Sequence, residues 1–508
     1  MRELVDPPTG MEAWPWEALP AGRWLGRLGL AGLVIVWAWV LAGWPLPRAA
    51  AILLATAAGV LILLRPGLGF PLLALAIPFG SLFSLSLGLG AVGPEELLLG
   101  AIAGAWLLRQ LAWRRLHVAW PPFVGAGLVL LAAMLVSFLP ASSPMLAAKE
   151  LVKWVELWLA AILVLNVAGD VEATLLVFGL LVAGAAEGLL GLYQFFARQG
   201  PSGFMLMGRF MRAAGTFEQP NPYGGYLGLT LPLAAGVLLR TGLKAWAGRC
   251  HWGLRAIWLV ALLSGGLMVG GLLASWSRGA WLGAAAGLAV VVAARGGRWL
   301  SGTVAAAAFG ALLCLALWGR VPLPGALEQR FADVAADLAL LDVRNAEVND
   351  SNFAVVERTA HWQAAWGMFN AHPWTGVGLG NYPAAYEQYA LPRWPDAMGH
   401  AHNYFLNIAA EAGLPGLAAY LLWVGAGFWV AWRAVRSAQG FWGGIALGIL
   451  GVLVHLNVHN LFDNLYVHGM GIQVGLLLGL AAWIVKRSAL GNRAPAGDEG
   501  VDAAAESR

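Results

Sequence analysis

Long runs of apolar residues, separated by short polar or basic stretches, fill the chain from about residue 24 to residue 485. A helix of about 20 apolar residues crosses the hydrocarbon core of a bilayer. The runs therefore predict membrane spans near 24–44, 49–64, 70–90, 95–113, 121–140, 149–168, 171–196, 222–240, 256–275, 279–294, 299–318, 416–432, 441–460 and 465–485. Because the second run is short and the sixth carries several charged side chains, the predicted number is about 12 to 14.

The composition supports a membrane protein and excludes a water-soluble one. Of the 508 residues, 59% are hydrophobic and only 11% are charged, whereas a soluble domain carries about 25% charged residues. So few charges cannot cover a surface that faces water, and the apolar surface must face lipid. The net charge of +4 includes no basic run of the kind that binds nucleic acid. We therefore predict an all-α polytopic membrane protein that has the lipid bilayer, and no nucleic acid, as a partner.

Lysine and arginine in the short loops indicate which ends of the spans face the cytoplasm. With the N-terminus inside, nearly every short basic loop falls on the cytoplasmic side, including those around Arg114 and Arg240. The outer side then receives the one large hydrophilic stretch, 319–415. Two short amphipathic helices are expected within it, at 326–342 and 354–370.

Four parts of the chain follow from this topology. They are a cytoplasmic N-terminal segment at 1–23, a first group of membrane helices at 24–208, a core with the large outer loop at 209–487, and a tail at 488–508. The tail is rich in Ala, Gly and acidic residues, a composition typical of disorder. Both termini are expected in the cytoplasm.

The first polar motif on the expected outer side is RAAGTFEQPNPYGGYL, at 212–227. Its prolines and glycines favour an extended, closely packed turn that leads into a helix. Arg212 beside the start of a helix suits an anion such as phosphate. An arginine that anchors the chain at the membrane interface explains the pattern equally well.

A second motif, SWSRGAW at 275–281, places Arg278 between two long apolar runs. An arginine on the outer side runs against the positive-inside rule. A charged side chain within or near the membrane usually has a partner or a ligand. This favours a functional role for Arg278 over a snorkelling arginine at the interface.

The third motif, ERTAHWQAAWGMFNAHPWTGVGLGNY, covers 357–382. Arg358, Trp362, Ala365 and Phe369 follow helical spacing, which predicts an amphipathic helix lying on the membrane. The glycine-rich end lacks the Gly-Lys-Ser/Thr ending of a P-loop, and no strand precedes it, so neither phosphate-loop nor dinucleotide-binding fingerprints apply.

The fourth motif, GHAHNYFLNIAAEAGLPGL at 399–417, contains His400 and His402, and Asn403 is expected to start a helix. His402 titrates near neutral pH and is able to deprotonate a hydroxyl group. Two other interpretations remain open. The His-x-His pair is able to bind a metal, although no carboxylate or cysteine lies at ligand spacing, and His402 is also able to act only as a structural cap.

A final polar cluster, HLNVHNLFDNLYVHG, lies at 455–469. His455 and His459 are four residues apart and share one helix face, and Asp463 follows at the outer end. Polar residues this dense in a span tend to face a cavity. Hydrogen bonding between helices explains them equally well.

Taken together, these motifs resemble the O-antigen ligase and polymerase superfamily of bacterial envelope enzymes. The resemblance covers about 209–470 and rests on the order and spacing of several patterns. They are His-Asn followed after nine residues by Gly-x-x-Gly (402–416), Ser-Arg-Gly (277–279), Arg-x-x-x-Trp (358–362), Gly-Thr-Phe-x-x-Pro-Asn (215–221) and Pro-x-x-Gly-x-Gly (373–378).

This resemblance implies a metal-independent glycosyltransferase without a cofactor, which uses a glycan on undecaprenyl diphosphate as donor. By the match of motifs, Arg278 and Arg358 bind the diphosphate, with Arg212 as a third contact, and His402 activates the acceptor hydroxyl. The site residues expected to support them are Asn403, Asn221, Glu218, His400, Asp463 and His459. The location implied is the bacterial cytoplasmic membrane, with the active site on the outer face.

The motifs do not identify the acceptor. The candidates are lipid A-core, a protein or another surface glycan or lipid. The first expectation is a ligase that moves a finished glycan onto lipopolysaccharide or a similar acceptor. A polysaccharide polymerase of the same superfamily is the nearest alternative. A transporter or flippase for lipid-linked glycans belongs to a different class, and it is disfavoured because the polar motifs gather at one face and no internal duplication is evident.

Overall fold

The computed structural model describes residues 20–82, 85–86, 91–206, 209–246, 252–296, 342–344, 346, 348 and 352–491. The α-helices are α1 (Pro20–Gly43), α2 (Leu46–Leu64), α3 (Gly69–Phe79), α4 (Pro94–Ala112), α5 (Val124–Val136), α6 (Pro144–Val167), α7 (Asp170–Ala197), α8 (Pro220–Gly228), α9 (Leu231–Trp246), α10 (Trp252–Ala274), α11 (Arg278–Ala294), α12 (Phe353–Ala371), α13 (Tyr382–Ala385), α14 (Tyr404–Ser437), α15 (Gly440–His459) and α16 (Met470–Gly491). Short 3-10 turns lie at Pro66–Leu68, Gly80–Leu82, Ser202–Phe204 and Tyr386–Gln388.

Strands are confined, in this part of the chain, to two small antiparallel hairpins. The first pairs β1 (Leu85–Ser86) with β2 (Ala91–Val92), and Leu85 lies opposite Val92. The second pairs β3 (Met205–Leu206) with β4 (Phe210–Met211), and Met205 lies opposite Met211. Helices therefore build the fold, and the predicted all-α polytopic class is confirmed.

Among the described residues, seven helical segments are long and apolar enough to cross a membrane, namely α2, α7, the α8–α9 pair, α10, α14, α15 and α16. Shorter apolar stretches occur in α1, α3, α5 and α11. The predicted span at 299–318, the predicted helix at 326–342 up to residue 341, and the terminal segments 1–19 and 492–508 lie outside the described residues. The total of 12 to 14 spans and the four-part division of the chain therefore stay predictions.

Several spans differ from the sequence prediction at their ends, and two of them have a clear local cause. The span expected at 70–90 is only the 11-residue helix α3, which contains Pro78 near its end and gives way to the β1–β2 hairpin. Proline disfavours the helical conformation of the residue before it and removes a backbone donor. The span expected at 416–432 begins at Tyr404, and it is broken at Gly413, which has φ +65° and ψ −168°.

Close helix contacts depend on residues without side chains. A Cβ added to Gly236 of α9 would lie 2.1 Å from the carbonyl oxygen of Gly444 in α15. A Cβ on Gly188 of α7 would lie 2.5 Å from the carbonyl oxygen of Leu267 in α10. Small residues let helix backbones approach in this way where lipid supplies no hydrophobic driving force. These contacts hold α15 and α10, whose outer ends carry the polar motifs.

The charged residues separate to the two ends of the helix bundle. At the end expected to be cytoplasmic, Arg487 of α16 binds both carboxylate oxygens of Asp170 at 2.8 Å. Beside it Arg65 binds Glu172 at 2.6 Å. The turns and loops that follow α7, α10 and α15 lie at the opposite end, and they carry the candidate site.

Candidate functional site

Arg212 lies in a loop that two side chains of α7 hold in place. The side-chain oxygen of Gln194 accepts hydrogen bonds from the backbone N–H groups of Ala214 and Gly215, at 3.0 and 2.8 Å. Glu187 is fully buried and accepts from the N–H and the hydroxyl of Thr216, at 3.2 and 2.9 Å. The loop that carries Arg212 is therefore fixed against the helix bundle.

The same loop joins the turn between α10 and α11, where Arg278 lies. The N–H of Ala213 donates to the carbonyl of Ala274 at 2.9 Å, and Nε of Arg212 donates to the carbonyl of Ser275 at 3.1 Å. Arg278 is the first residue of α11. Two arginines from distant parts of the sequence are thus brought side by side.

The helix α12 supplies a third arginine. Ala360, Ala364, Ala365 and Met368 are buried against protein, whereas Arg358 and Trp362 are half-buried. The predicted helix is present, and of its four spaced positions Ala365 is the most deeply buried. Arg358 points into the same pocket as Arg212 and Arg278.

One polar pocket collects these groups at the outer ends of the helices. It is lined by Arg212, Asn221, Trp276, Ser277, Arg278, Gly279, Arg358, His459, Phe462 and Asp463. Three guanidinium groups face a shared space in which the single carboxylate is that of Asp463. Because like charges repel each other, this arrangement favours an anionic ligand between them.

His402 lies next to this pocket and is linked to it through Asp463. Its Nδ1 lies 3.6 Å from Oδ1 of Asp463, and Nε2 of His400 lies 3.7 Å from the same oxygen. The N–H of His402 donates to Nδ1 of His400 at 3.1 Å. Neutral His400 therefore carries its proton on Nε2, on the side of Asp463.

The segment around His402 is held by both neighbouring loops. Asn403 caps α14, as predicted, by accepting from the N–H of Leu406 at 3.1 Å, and Nε1 of Trp362 donates to the carbonyl of His402 at 3.3 Å. The N–H of Tyr404 donates to the carbonyl of Asn460 at 2.8 Å. His402 itself has φ +52°, a left-handed conformation that is uncommon for residues other than glycine. Such strain often marks functional positions.

The electrostatics of the cluster favour an ionised Asp463. Burial opposes the ionisation of Asp463, but His402, His400 and His459 outweigh it and hold the pKa of the carboxyl group well below its usual range. Burial lowers the pKa of His400 to about 4, although Asp463 acts in the opposite direction. Near neutral pH the carboxylate is therefore available to orient a histidine.

The three groups also meet the geometric requirement for a metal ion. One ligand atom each from His400, His402 and Asp463 lies within 4.8 Å of the others. No carboxylate lies at ligand spacing from the two histidines in the sequence, but the fold supplies Asp463 from a segment about 60 residues away.

His361 is a member of the cluster that the sequence reasoning missed. It is buried, its ring centroid lies 5.5 Å from that of His402, and it stacks on Tyr386 at 4.9 Å. Its Nδ1 lies 3.1 Å from the hydroxyl of Tyr382. The signal was present, because His361 follows Arg358 by three residues on one helix and so lies near its face.

The other predicted supporting residues divide into two groups. Asn221 and His459 line the pocket, and His459 is 1% exposed. Glu218 is exposed and does not line it; its charge acts on His468, where burial lowers the pKa and Glu218 raises it. His455 is buried within the bundle and contacts the carbonyl of Gly225 at 3.1 Å. It therefore acts between helices rather than in the pocket.

The glycine-rich stretch at 373–381 supplies hydrogen-bond partners for the backbone at the break in α14. Pro415 has no N–H, and the carbonyl of Glu411 accepts instead from Gly378 at 3.0 Å. The N–H of Leu414 donates to the carbonyl of Pro373 at 2.7 Å. The two glycine-containing motifs of the sequence therefore form one structural unit, which replaces the lost helical hydrogen bonds.

A buried carboxylate and a buried amide fix this stretch to the membrane helices. Glu411 accepts from the N–H groups of Gly380 and Tyr382, at 2.9 and 3.1 Å. Asn381 is fully buried and accepts from the N–H of Ser143 at 2.7 Å, at the start of α6. The stretch is thereby tied to both α14 and the start of α6.

Residues 263–421 match the model of the O-antigen ligase family, Wzy_C. No curated protein matches the chain. The matched region contains Arg278, Arg358 and His402, whereas Arg212 and Asp463 lie outside it. The resemblance predicted from the sequence motifs is thus confirmed at the level of the family model, and over residues 263–421 this membrane protein is similar to the O-antigen ligases.

Proposed function

We propose that this protein is a membrane glycosyltransferase of the O-antigen ligase type. It moves a glycan from an undecaprenyl diphosphate donor to a hydroxyl group of an acceptor, such as lipid A-core, a protein or another surface molecule. The reaction takes place at the outer face of the bacterial cytoplasmic membrane. The observation that carries the proposal is the convergence of Arg212, Arg278 and Arg358 on one pocket that is joined to His402 through Asp463.

The arginines suit the leaving group of this reaction. A diphosphate leaves with the electron pair of the bond to the anomeric carbon, and it gains negative charge as the bond breaks. Guanidinium groups bind phosphate oxygens in pairs and keep their charge at all pH values of interest. Fixed cations at the position where charge develops lower the barrier of the reaction. Arg278 and Arg358 are assigned this role, with Arg212 as a third contact.

His402 suits the acceptor side of the same reaction. Its Nδ1 faces the carboxylate of Asp463, so Nε2 is the nitrogen that receives a proton. As the acceptor O–H bond breaks, its proton passes to Nε2 and its oxygen bonds to the anomeric carbon. The bond from that carbon to the diphosphate oxygen breaks at the same time. Asp463 stabilises the charged imidazole that results.

This mechanism needs neither a metal ion nor another cofactor, because three arginines neutralise the diphosphate. The metal interpretation of His400, His402 and Asp463 predicts a different result. If the mechanism is correct, full transfer activity persists in EDTA. Loss of activity in EDTA that returns on addition of a divalent metal would support the metal site instead.

The proposal is tested by reconstitution of the purified full-length protein in lipid nanodiscs with an undecaprenyl-diphosphate-linked glycan. Lipid A-core is the acceptor in one arm, and a second molecule of the lipid-linked glycan is the acceptor in the other. We expect glycan on lipid A-core, with release of undecaprenyl diphosphate. A product that grows only on undecaprenyl diphosphate identifies a polymerase. Transport of intact donor without any transfer would contradict the proposed enzyme.

A further inference from the structure

The first turn of α11 opens into the arginine pocket. The helix has 17 residues, and the pocket is lined by its N-cap Ser277 and by its first two residues, Arg278 and Gly279. The N–H of Trp281 closes the first turn by donating to the carbonyl of Ser277 at 3.0 Å. The N–H groups before it have no hydrogen-bond acceptor within the helix. Those of Gly279 and Ala280 therefore lie at the open end of α11, beside the pocket.

Within the described chain, no side chain caps this end of the helix. Ser277 makes no capping hydrogen bond, and the first turn contains no acidic residue. Free N–H groups and the helix dipole both place partial positive charge here. An anion, above all a phosphate group, is the ligand that such a helix end binds.

A buried histidine gives a second, independent indication of a ligand in the same space. His459 lines the pocket and is only 1% exposed, and its Nδ1 has no hydrogen-bond partner among the described residues. A Cβ added to Gly279 would lie 3.6 Å from Nε2 of His459, so Nε2 is the nitrogen beside the first turn of α11. Buried N–H groups without hydrogen-bond acceptors are rarer than buried acceptors without donors. We therefore assign the proton of the neutral ring to Nε2, on the side of the pocket.

The turn before α11 is fixed in place by its own side chains. Oγ of Ser275 accepts from the N–H of Ser277 at 3.2 Å and donates to the carbonyl of Leu272 at 2.6 Å. Nε1 of Trp281 donates to the same carbonyl at 2.7 Å. Donors that are already fixed bind a ligand without a further cost of ordering.

We propose that the first turn of α11 and His459 form a phosphate cradle, which holds one phosphate group of the donor diphosphate. The N–H groups of Gly279 and Ala280 and Nε2–H of His459 donate to its oxygens. All three donors are neutral, so the cradle adds directed hydrogen bonds to the charge that the arginines supply. Because Gly279 has no side chain, a phosphate oxygen has room beside Nε2.

This inference rests on the proposed function and deepens it, and its first test does not require glycan transfer. The purified full-length protein is titrated in detergent with undecaprenyl diphosphate, and in a second arm with undecaprenol, which has no phosphate. We expect Gly279→Ala to raise the Kd for undecaprenyl diphosphate more than about tenfold, because its methyl group takes the place of a phosphate oxygen. The Kd for undecaprenol should not change. All three arginines remain in this variant, so a site made of arginines alone predicts no change.

Gly471→Ala is the matched control. Gly471 is the second residue of α16, as Gly279 is of α11, but it does not line the pocket. A Cβ on Gly471 would meet no atom of the described residues within 4 Å, and a Cβ on Gly279 would meet Phe462 at 3.4 Å, an ordinary van der Waals distance. Neither substitution should therefore lower the melting temperature, and Gly471→Ala should leave both Kd values unchanged.

Two substitutions of His459 separate a binding role from a packing role. His459→Leu removes the donor and should raise the Kd for undecaprenyl diphosphate about tenfold. His459→Gln keeps an amide N–H group close to the position of Nε2, and its Kd should stay within about threefold of the wild type. An equal loss of affinity in both variants would contradict a hydrogen bond from Nε2.

Separate results would overturn the cradle and the enzyme. An unchanged Kd for undecaprenyl diphosphate in both Gly279→Ala and His459→Leu would overturn the cradle, and so would an equal loss of affinity for undecaprenol. A wild type that binds undecaprenyl diphosphate through Gly279, but transfers its glycan to neither of the two acceptors named above, would overturn the proposed function and leave the cradle in place.

Discussion

The two ends of the helix bundle use charged residues in opposite ways. At the end where α7 begins and α16 ends, Arg487 forms a bidentate ion pair with Asp170, and Arg65 binds Glu172. At the other end, three arginines line one pocket together. Paired charges at the first end stabilise the fold and its orientation. At the second end, three arginines and one aspartate surround one space, an arrangement that suits an anionic ligand.

Backbone geometry also differs between the two ends, although Arg114 near the first end has a positive φ of +51° too. Around the pocket and the histidine cluster, Glu218, Trp276, His402 and His468 adopt positive φ angles of +62°, +52°, +52° and +49°. Side chains rarely occupy this region without compensation from the surroundings. Only a tightly fixed framework holds them, and the anchoring by Glu187 and Gln194 of α7 provides part of it. Mutations at the two ends should therefore differ in kind.

The largest effect is expected for His402→Ala. Removal of the proposed base should lower the rate of glycan transfer by about a thousandfold, because a positioned base contributes about 10² to 10⁴ in rate. The measurement is initial transfer rate in nanodiscs, with a melting curve to show that the protein is folded. His372→Ala is the matched control, since His372 is exposed on the same outer side. Full activity of His402→Ala would refute the assignment of the base.

The next effect is expected for Arg278→Ala and Arg358→Ala. Loss of one cation at the diphosphate should lower kcat/KM for the donor about a hundredfold. Donor affinity should fall more than acceptor affinity in both variants. Arg209→Ala is the control, because Arg209 is exposed on the same side and lies over Phe210 rather than in the pocket. Unchanged donor affinity in both pocket variants would contradict the role of the arginines.

A smaller effect, on stability, is expected for Asn381→Ala. The variant loses the hydrogen bonds to Ser143 and Ser142 that fix the glycine-rich stretch to α6. Because buried partners are left unsatisfied, the free energy of unfolding should fall by about 1–3 kcal/mol. Ser142→Ala removes one of these bonds and should cost less. Equal melting temperatures of Asn381→Ala and the wild type would show that this contact does not hold the stretch.

A pH effect is expected from His361. Burial, with a contribution from His402 and His400, lowers the pKa of His361 to about 4 from an ordinary value of 6.5. Between these values the unfolded chain binds the proton and the folded protein does not, so stability falls as the pH falls from 6.5 towards 4. His361→Gln should lose less melting temperature over this interval than the wild type. Identical slopes would show that His361 does not titrate in this way.

The smallest effect is expected for Arg487→Ala at the other end. Arg487 and Asp170 are 44% and 61% exposed, and exposed ion pairs contribute only about 0–1 kcal/mol. The melting temperature should change little, and glycan transfer should not change. A loss of transfer comparable to that of Arg278→Ala would remove the distinction between the two ends.

The sequence allowed prediction of most spans and of the separate site motifs. Arg278 stood out because a charge between two apolar runs is rare, and the structure places it in the pocket. Asn403 was predicted to start a helix and caps α14. Such features depend on local sequence, which is visible in one dimension.

Other features could not be predicted because they depend on long-range contacts. The pairing of Asp463 with His400 and His402 joins two segments about 60 residues apart, and nothing in local spacing reveals it. The entry of Arg358 into the pocket, while Ala360, Ala364 and Met368 are buried against protein, depends on the segments that surround α12. The role of the glycine-rich stretch depends on the carbonyl groups that the break in α14 leaves without partners.

The sequence by itself determined that this is a membrane protein. With 59% hydrophobic and 11% charged residues, the chain cannot form a surface that is stable in water. It also determined which short motifs carry polar chemistry, because charge near apolar runs is costly wherever it occurs. Only the tertiary structure decided that Arg212, Arg278 and Arg358 share one pocket, and that Asp463 sits between the histidines. Helix packing sets these distances, and it results from many weak contacts that no single segment specifies.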